Sequence, residues 1–282
     1  MLSGVSRLIG IFIFLMIFLL VLFFSPKEAN KTEREVGWGM EMELQEAEKV
    51  TLTTVYDNYQ HNPELRTGWG FACWIEIGNE TILFDTGGDS ETLLYNMERS
   101  GKDPKAIGKI VLSHIHGDHT GGLEGVLEKN PNVTVYLPKS FPQGFKNDVK
   151  ATSNLIEVGG PAKMSESVMT TGELGFAIKE QSLVISTEKG LVVITGCAHP
   201  GIVNILKEVK KLADEEIYLV LGGFHLGGTS DTELKNIIRS FRELGVKKAA
   251  PCHCSGDRTR ELFRKEYEDD YTENGVGKVI EI

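Results

Sequence analysis

Positive charge is what this sequence most lacks. Its 282 residues hold 30 lysines and arginines against 40 aspartates and glutamates, a formal net charge of −10. Broad capture of nucleic acid needs basic patches that replace condensed counterions, so no nucleic-acid partner is expected. A small anionic substrate stays open, because a bound metal reverses the local sign that net charge suggests. Cysteine is scarce too, with only Cys73, Cys197, Cys252 and Cys254. That distribution argues against a disulfide framework, and a bridge between Cys252 and Cys254 would close an awkwardly short loop. Three of the four stand beside histidine-bearing segments, so they read as thiols lining a site, with small buried residues as the alternative. Internal repeats are missing, which excludes repeat architectures. What remains, at 41% hydrophobic and 25% charged, is ordinary globular composition with enough length for a sizeable core, in one large domain or two small ones.

One long apolar run is present. Residues 8–24 (LIGIFIFLMIFLLVLFF) are uninterrupted by charge, preceded by Arg7 and ended by Ser25, Pro26 and Lys27. The run reaches the lower end of the length that crosses a bilayer as a helix. A cleavable signal peptide is the rival, but the run is long for one and no small-x-small cleavage site follows closely. A retained single-pass transmembrane anchor is therefore expected, with membrane localisation. Lys27, Lys31 and Arg34 offset Arg7 on the other side, and an extracytoplasmic catalytic domain is the orientation preferred. The expected organisation is a short flank (1–7), the anchor (8–24), a glutamate-rich juxtamembrane linker (25–49) and a catalytic domain (50–282).

Within that domain, strand signals come in pairs. Residues 50–56 are followed by 71–77 and 81–84, the last two flanking the turn formers Gly78, Asn79 and Glu80. Helical periodicity follows at 91–99, then a strand at 109–113 that runs into a histidine cluster. Further strands are predicted at 133–137, 155–158, 183–186 and 191–195. The last third alternates: helix 202–212, strand 217–221, helix 232–244, strand 247–250, another helix, and a short strand at 278–280. A strand-rich first half and strand-helix alternation in the second predict a layered α/β fold with helices outside the sheets.

Ser113-His114-Ile115-His116-Gly117-Asp118-His119 carries the strongest chemical signal. If the strand continues through the first two histidines, alternation puts His114 and His116 on one side. Gly117 permits a sharp bend that returns Asp118 and His119 toward that side at the mouth of a helix. Imidazole and carboxylate are ligands for zinc, iron or manganese, and so many of them together suit a two-metal site. The bland reading is surface histidines at a strand end. Of the seven histidines, His199, His225 and His253 also follow predicted strands, and only His61 falls outside the pattern. Strand ends at one sheet edge are where α/β folds gather functional groups. Each histidine alone is more often structural, but shared placement favours His199 and His253 as ligands. His225 is left open among ligand, substrate contact and support for a ligand. Cys197 either reaches a metal or is a small buried thiol. Asp85, in Phe84-Asp85-Thr86-Gly87-Gly88, either orients a ligating histidine or caps the turn. Asp57 and Asn58 read first as a turn and second as site residues.

These residues resemble a known family. His114-x-His116-x-Asp118-His119, preceded by Phe84-Asp85-Thr86-Gly87, resembles the metallo-β-lactamase superfamily across residues 50–282. The segments VYDN (55–58), TGCAHPGI (195–202), GGFHL (222–226) and PCHCSG (251–256) resemble its dihydropteroate-synthase-like branch. The resemblance implies a four-layer αββα sandwich with the metal site at one edge between two sheets. It implies one metal on His114, His116 and His199, and a second on Asp118, His119 and His253. Where many members place an aspartate between the metals, this chain has Gly196-Cys197. Known members of the branch join a dihydropterin diphosphate to a ribofuranosylaminobenzene phosphate, and many others carry a general hydrolase label.

The expected function is a metal-dependent hydrolase acting on a small ester or phosphoester, with one or two divalent ions, zinc first and iron or manganese as alternatives. Asp118 is the expected catalytic residue, steering the water. The pterin-transferring synthase is the second expectation, and a non-catalytic, membrane-tethered metal-binding or sensing protein the third.

Overall fold

The computed structural model of the chain describes residues 42–282. Its first half runs β1 (Val50–Tyr56), β2 (Ala72–Ile77), β3 (Glu80–Phe84), α1 (Ser90–Arg99), β4 (Lys109–Val111), α2 (Gly117–Thr120), α3 (Leu123–Lys129), β5 (Thr134–Pro138), α4 (Gln143–Thr152) and β6 (Asn154–Val158). The second half runs β7 (Ala162–Lys163), β8 (Val168–Thr170), β9 (Leu183–Thr187), β10 (Gly190–Thr195), α5 (Ile202–Leu212), β11 (Ile217–Gly223), α6 (Asp231–Glu243), β12 (Lys248–Cys252), α7 (Asp257–Tyr267) and β13 (Val279–Glu281). Local chemistry explains many boundaries. Gly78, with φ of 56°, takes the left-handed turn between β2 and β3. Asp89 caps α1 by accepting from the Thr92 amide at 2.7 Å, and Ser230 caps α6 by accepting from the Glu233 amide.

Seven strands form one sheet in the order β13-β1-β2-β3-β4-β5-β6, and six form the other in the order β12-β11-β10-β9-β8-β7. The layers follow from the period of the strands. On β10, Val192 and Ile194 face the interior between the sheets, while Leu191 and Val193 face outward onto helices. The inter-sheet layer joins Leu52, Ile75 and Phe84 of the first sheet to Leu183, Ile194 and Leu221 of the second. Leu93 and Met97 of α1, Val126 of α3 and Val149 of α4 cover the outer face of the first sheet. Ile205 and Val209 of α5, Leu234 and Ile238 of α6 and Phe263 of α7 cover the second. Two sheets with helices on both outer faces make the four-layer αββα order.

Topology then sets the site. β1, β3 and β4 run in one direction, because β1 and β3 are each antiparallel to β2 and β4 is parallel to β3. In the second sheet β10, β11 and β12 are mutually parallel. The C-terminal ends within each of these groups therefore fall on a single edge of their sheet.

Three expectations need correction. No helix among the described residues is long and apolar enough to cross a membrane. The anchor expected at 8–24 lies outside those residues, so the membrane localisation, with its orientation, has no support and is withdrawn. Residues 42–49 do not behave as linker: the Met42 amide donates to the Leu212 carbonyl at 2.7 Å, Ala47 bridges Thr187, and Met42 and Leu44 pack on the helix-covered face of the second sheet. Ala47 is buried and Met42 and Leu44 are partly buried, where a linker would be solvated. The strand expected at 109–113 ends at Val111, because the Ser113 amide turns away to the Asp85 carboxylate at 2.6 Å. The helix expected at Asp118 and His119 is α2, whereas helices α3 and α4 and strands β7 and β8 carried too short or too weak an apolar pattern to be predicted.

Asn96, fully buried on α1, fastens the segment that follows β1. Its side-chain amide donates to the carbonyls of Val55 and Arg66, at 3.0 and 2.8 Å, and its oxygen accepts from the Arg66 amide at 2.8 Å. Asn96→Ala leaves the buried Val55 carbonyl unpaired and frees the part-buried Arg66 backbone, and is expected to lower unfolding free energy by about 2 kcal/mol, a buried orphan costing about 1–3 kcal/mol. Urea unfolding measures this, and a loss under about 0.5 kcal/mol, ordinary for an uninvolved surface site, would refute the role.

Candidate metal centre

The histidine cluster is built from a buried carboxylate outward. Asp85 follows β3 in left-handed backbone, φ 57°. One oxygen accepts from the Ser113 amide at 2.6 Å; the other accepts from the Ser113 hydroxyl at 2.7 Å and lies 2.7 Å from Nδ1 of His119. All of these groups are fully buried. Since Ser113 Oγ gives its proton to Asp85, it accepts from Nδ1 of His114 at 2.9 Å. Both histidines are thereby fixed with Nδ1 protonated, and Nε2 of each keeps a free lone pair. Asn58 does the same for His253, its Oδ1 standing 3.0 Å from Nδ1.

Those lone pairs converge. Nε2 of His114 lies 3.0 Å from Nδ1 of His116, which lies 3.2 Å from Nε2 of His199. Nε2 of His253 lies 3.3 Å and Nε2 of His119 3.7 Å from one oxygen of Asp118. His253 Nε2 is buried with no hydrogen-bond partner. A buried ring nitrogen without a partner, close to a carboxylate oxygen, is placed to bind a cation. Cys197 Sγ stands 3.2 Å from His119 Nε2 and belongs to both groups: with Asp118, His119 and His253, and with His114 and His199. Nitrogen, oxygen and sulfur donors in this density fit a divalent metal of borderline softness.

The electrostatics of His114 and His199 agree with that use. Burial, reinforced by the neighbouring imidazoles of His119 and His199, pushes His114 far below its ordinary value, and burial with His225 beside it lowers His199 to about 4. Both stay neutral and able to ligate. Burial alone would raise Asp118, but the imidazoles of His253 and His119 hold it down at about 2. Burial also disfavours the charged form of His119, yet the Asp85 carboxylate beside it more than offsets this and raises it.

The loop after β10 depends on a residue that sequence reasoning missed. Glu180 is fully buried and accepts three backbone N–H bonds: Cys197 and Ala198 on one oxygen at 2.9 and 2.8 Å, His199 on the other at 2.8 Å. It sits in a loop before β9, and nothing in its local sequence marks it. Ser113 lies inside the motif, but its hydroxyl relay between His114 and Asp85 is visible only in three dimensions. Trp69, largely exposed, places its ring 5.0 Å from that of His253 at the mouth of the centre.

Other expected residues fall as follows. Asp85 orients His119, and Asn58 orients His253. Asp57 makes a turn, accepting from the Tyr59 amide at 2.7 Å, and burial lifts its carboxyl to about 6. His225 is exposed, its ring 4.4 Å from that of His199. His114 and His116 come together through a loop and not through strand alternation, since the strand ends at Val111.

The metallo-beta-lactamase superfamily profile matches residues 70–253. The chain belongs to the metallo-β-lactamase superfamily. It is 29% identical to the 7,8-dihydropterin-6-methyl-4-(beta-D-ribofuranosyl)-aminobenzene-5'-phosphate synthase of Methanocaldococcus jannaschii, over 86% of this chain and 99% of that one. An uncharacterized protein of the same organism is 31% identical over 76% of this chain and 93% of its own length. Among solved structures, a metal-dependent hydrolase of the beta-lactamase superfamily superposes with a TM-score of 0.70 at 28% identity, covering 83% of this chain and 99% of the other.

Two outcomes test how the centre is held. Asp85→Asn should weaken metal binding by roughly 10–100-fold, the usual cost of losing a carboxylate behind a ligating histidine; unchanged affinity in a chelator-competition titration would show that Asp85 only shapes the turn. Glu180→Gln puts a donor against one of the three backbone amides, and should cost about 1–3 kcal/mol and reduce bound metal. Thermal unfolding and elemental analysis report both, and a variant matching wild type in each would remove Glu180 from this role.

Proposed function

We propose that this chain is a metal-dependent hydrolase acting on a small, anionic ester or phosphoester. The observation that carries the reading is the convergence of ring nitrogens of His114, His116, His119, His199 and His253 with the Asp118 carboxylate and the Cys197 thiol. Zinc suits this mixture of nitrogen, oxygen and sulfur donors best. One ion would be held by His114, His116 and His199, and a second by Asp118, His119 and His253, with Cys197 within reach of both. A divalent ion supplies Lewis acidity at neutral pH and lowers the pKa of water.

The chain's own residues do the rest. Asp118 is ionised and only partly buried, and would steer the attacking water. Ser113 and Asp85 hold His114 and His119 in the tautomer that leaves Nε2 free, and Asn58 does so for His253. The acidic balance of the chain speaks against a nucleic-acid substrate.

A second reading is transfer of a dihydropterin to a ribofuranosylaminobenzene phosphate, favoured by full-length likeness to the methanogen synthase. In that reaction an aromatic amine or ring carbon attacks the pterin methylene and diphosphate departs. The exposed Trp69 ring offers a flat surface on which a pterin would stack.

One assay separates them. Purified, zinc-loaded chain is given a generic phosphodiester, a generic carboxylic ester, and the dihydropterin diphosphate with and without the arylamine. Hydrolysis of the esters, or diphosphate release without amine, is expected. Release that strictly requires the amine would replace the hydrolase with the synthase. His116→Ala should abolish turnover and lower metal content, and a fully active, metal-free variant would overturn both readings.

A further inference from the structure

Three donor atoms lie together at the ends of β10, β11 and β12, toward the solvent side of the centre just described. Sγ of Cys254 is 3.3 Å from Sγ of Cys197, and with a ring nitrogen of His225 these atoms all lie within 4.8 Å of one another. All four cysteines of the described chain are free thiols. We propose that Cys197, Cys254 and His225 form a separate thiophilic site for a soft or borderline divalent cation, zinc or cadmium in kind, sharing only Cys197 with the principal centre.

The backbone is shaped to bring these three groups together. A Cβ on Gly223 would come within 2.7 Å of Cys254 Sγ, so only glycine leaves the space through which that thiol reaches Cys197. The Gly223 amide donates to the Gly196 carbonyl at 3.1 Å, locking the two strand ends side by side. The Gly227 amide donates to the Cys254 carbonyl at 3.3 Å and fixes the third. His225 is held in left-handed backbone, φ 52°, a conformation that costs a non-glycine residue about 1–3 kcal/mol. That cost turns its imidazole toward the thiols and His199 when a relaxed backbone would send it elsewhere.

Chemistry selects the occupant. Two sulfurs and one imidazole prefer zinc, cadmium or cobalt to magnesium or calcium, and a Cys₂His set with an open fourth position is a known catalytic zinc arrangement. Here the fourth position opens toward solvent, because His225 is exposed and Cys254 half-buried. Binding displaces the thiol protons to solvent and leaves two thiolates on the ion, with no oxidant or reductant involved. A buried thiol pair serving only as core packing would have no use for an exposed, strained histidine beside it.

The probe is Co²⁺ alone, added to metal-free protein kept reduced with a phosphine. In a His116→Ala, Asp118→Asn background, where the principal centre is dismantled, the near-ultraviolet sulfur-to-cobalt band is expected to persist. Adding Cys254→Ser or His225→Ala to that background should remove it. A band that is absent from the wild type, or unchanged by Cys254→Ser, overturns the proposal. A wild-type measurement covers the case of a variant that does not fold: alkylation of Cys254, read by peptide mass, should slow as Cd²⁺ is added beyond the two equivalents that the principal centre would hold, and an unchanged rate overturns it equally. The two readings fail separately, since loss of turnover with the sulfur band intact touches only the hydrolase centre, and loss of the band with turnover intact touches only this site.

Discussion

The buried Asp85 carboxylate is the contact on which the rest of the centre depends. It receives the Ser113 amide, the Ser113 hydroxyl and the His119 imidazole, so one side chain ties the ends of β3 and β4 to the short helix α2. A carboxylate buried so completely is tolerable only when its lone pairs are all engaged. Those same bonds dictate which nitrogen of His114 and of His119 carries the proton. The tautomers, and with them the free lone pairs, are consequences of that buried group.

The second sheet meets this assembly where side chains are missing. A Cβ on Gly196 would fall 2.1 Å from the Ser113 hydroxyl and 2.9 Å from Asp85, so the β10 loop approaches the first sheet only because residue 196 is glycine. Gln181 fastens the same junction, donating its side-chain amide to the Leu112 carbonyl at 2.8 Å and its backbone amide to the Ser113 carbonyl at 2.9 Å. Glu180, next in the chain, gathers three amides of the β10 loop. Consecutive residues thus lock one loop of each sheet, and that brings His199 and Cys197 opposite His114 and His119.

Backbone strain is concentrated at this junction. Of the non-glycine residues with positive φ among those described, Asp85, Ala198, His225 and His253 lie at or beside the centre, and only Glu268 does not. Each costs about 1–3 kcal/mol, which the rest of the fold must outweigh. The extensive inter-sheet core of Phe84, Ile194, Leu221 and their neighbours supplies the rigidity that holds such conformations.

The sequence by itself determined the layered α/β class, the main strands and the helices with long apolar periods, because burial on one face repeats every two or 3.6 residues whatever the chain later packs against. It also showed a motif of metal-ligand types and three further histidines at strand ends, for the same local reason. Helices α3 and α4 were invisible because they are short or weakly patterned, and residues 42–49 looked like linker because their charge hides the packing of Met42, Leu44 and Ala47. Tertiary structure alone decided that Ser113 relays a proton choice, that Glu180 anchors residues 197–199, and that Cys197 stands between the ligand groups. Each of these is a contact between residues tens of positions apart or a choice of hydrogen-bond direction, and no local pattern encodes either.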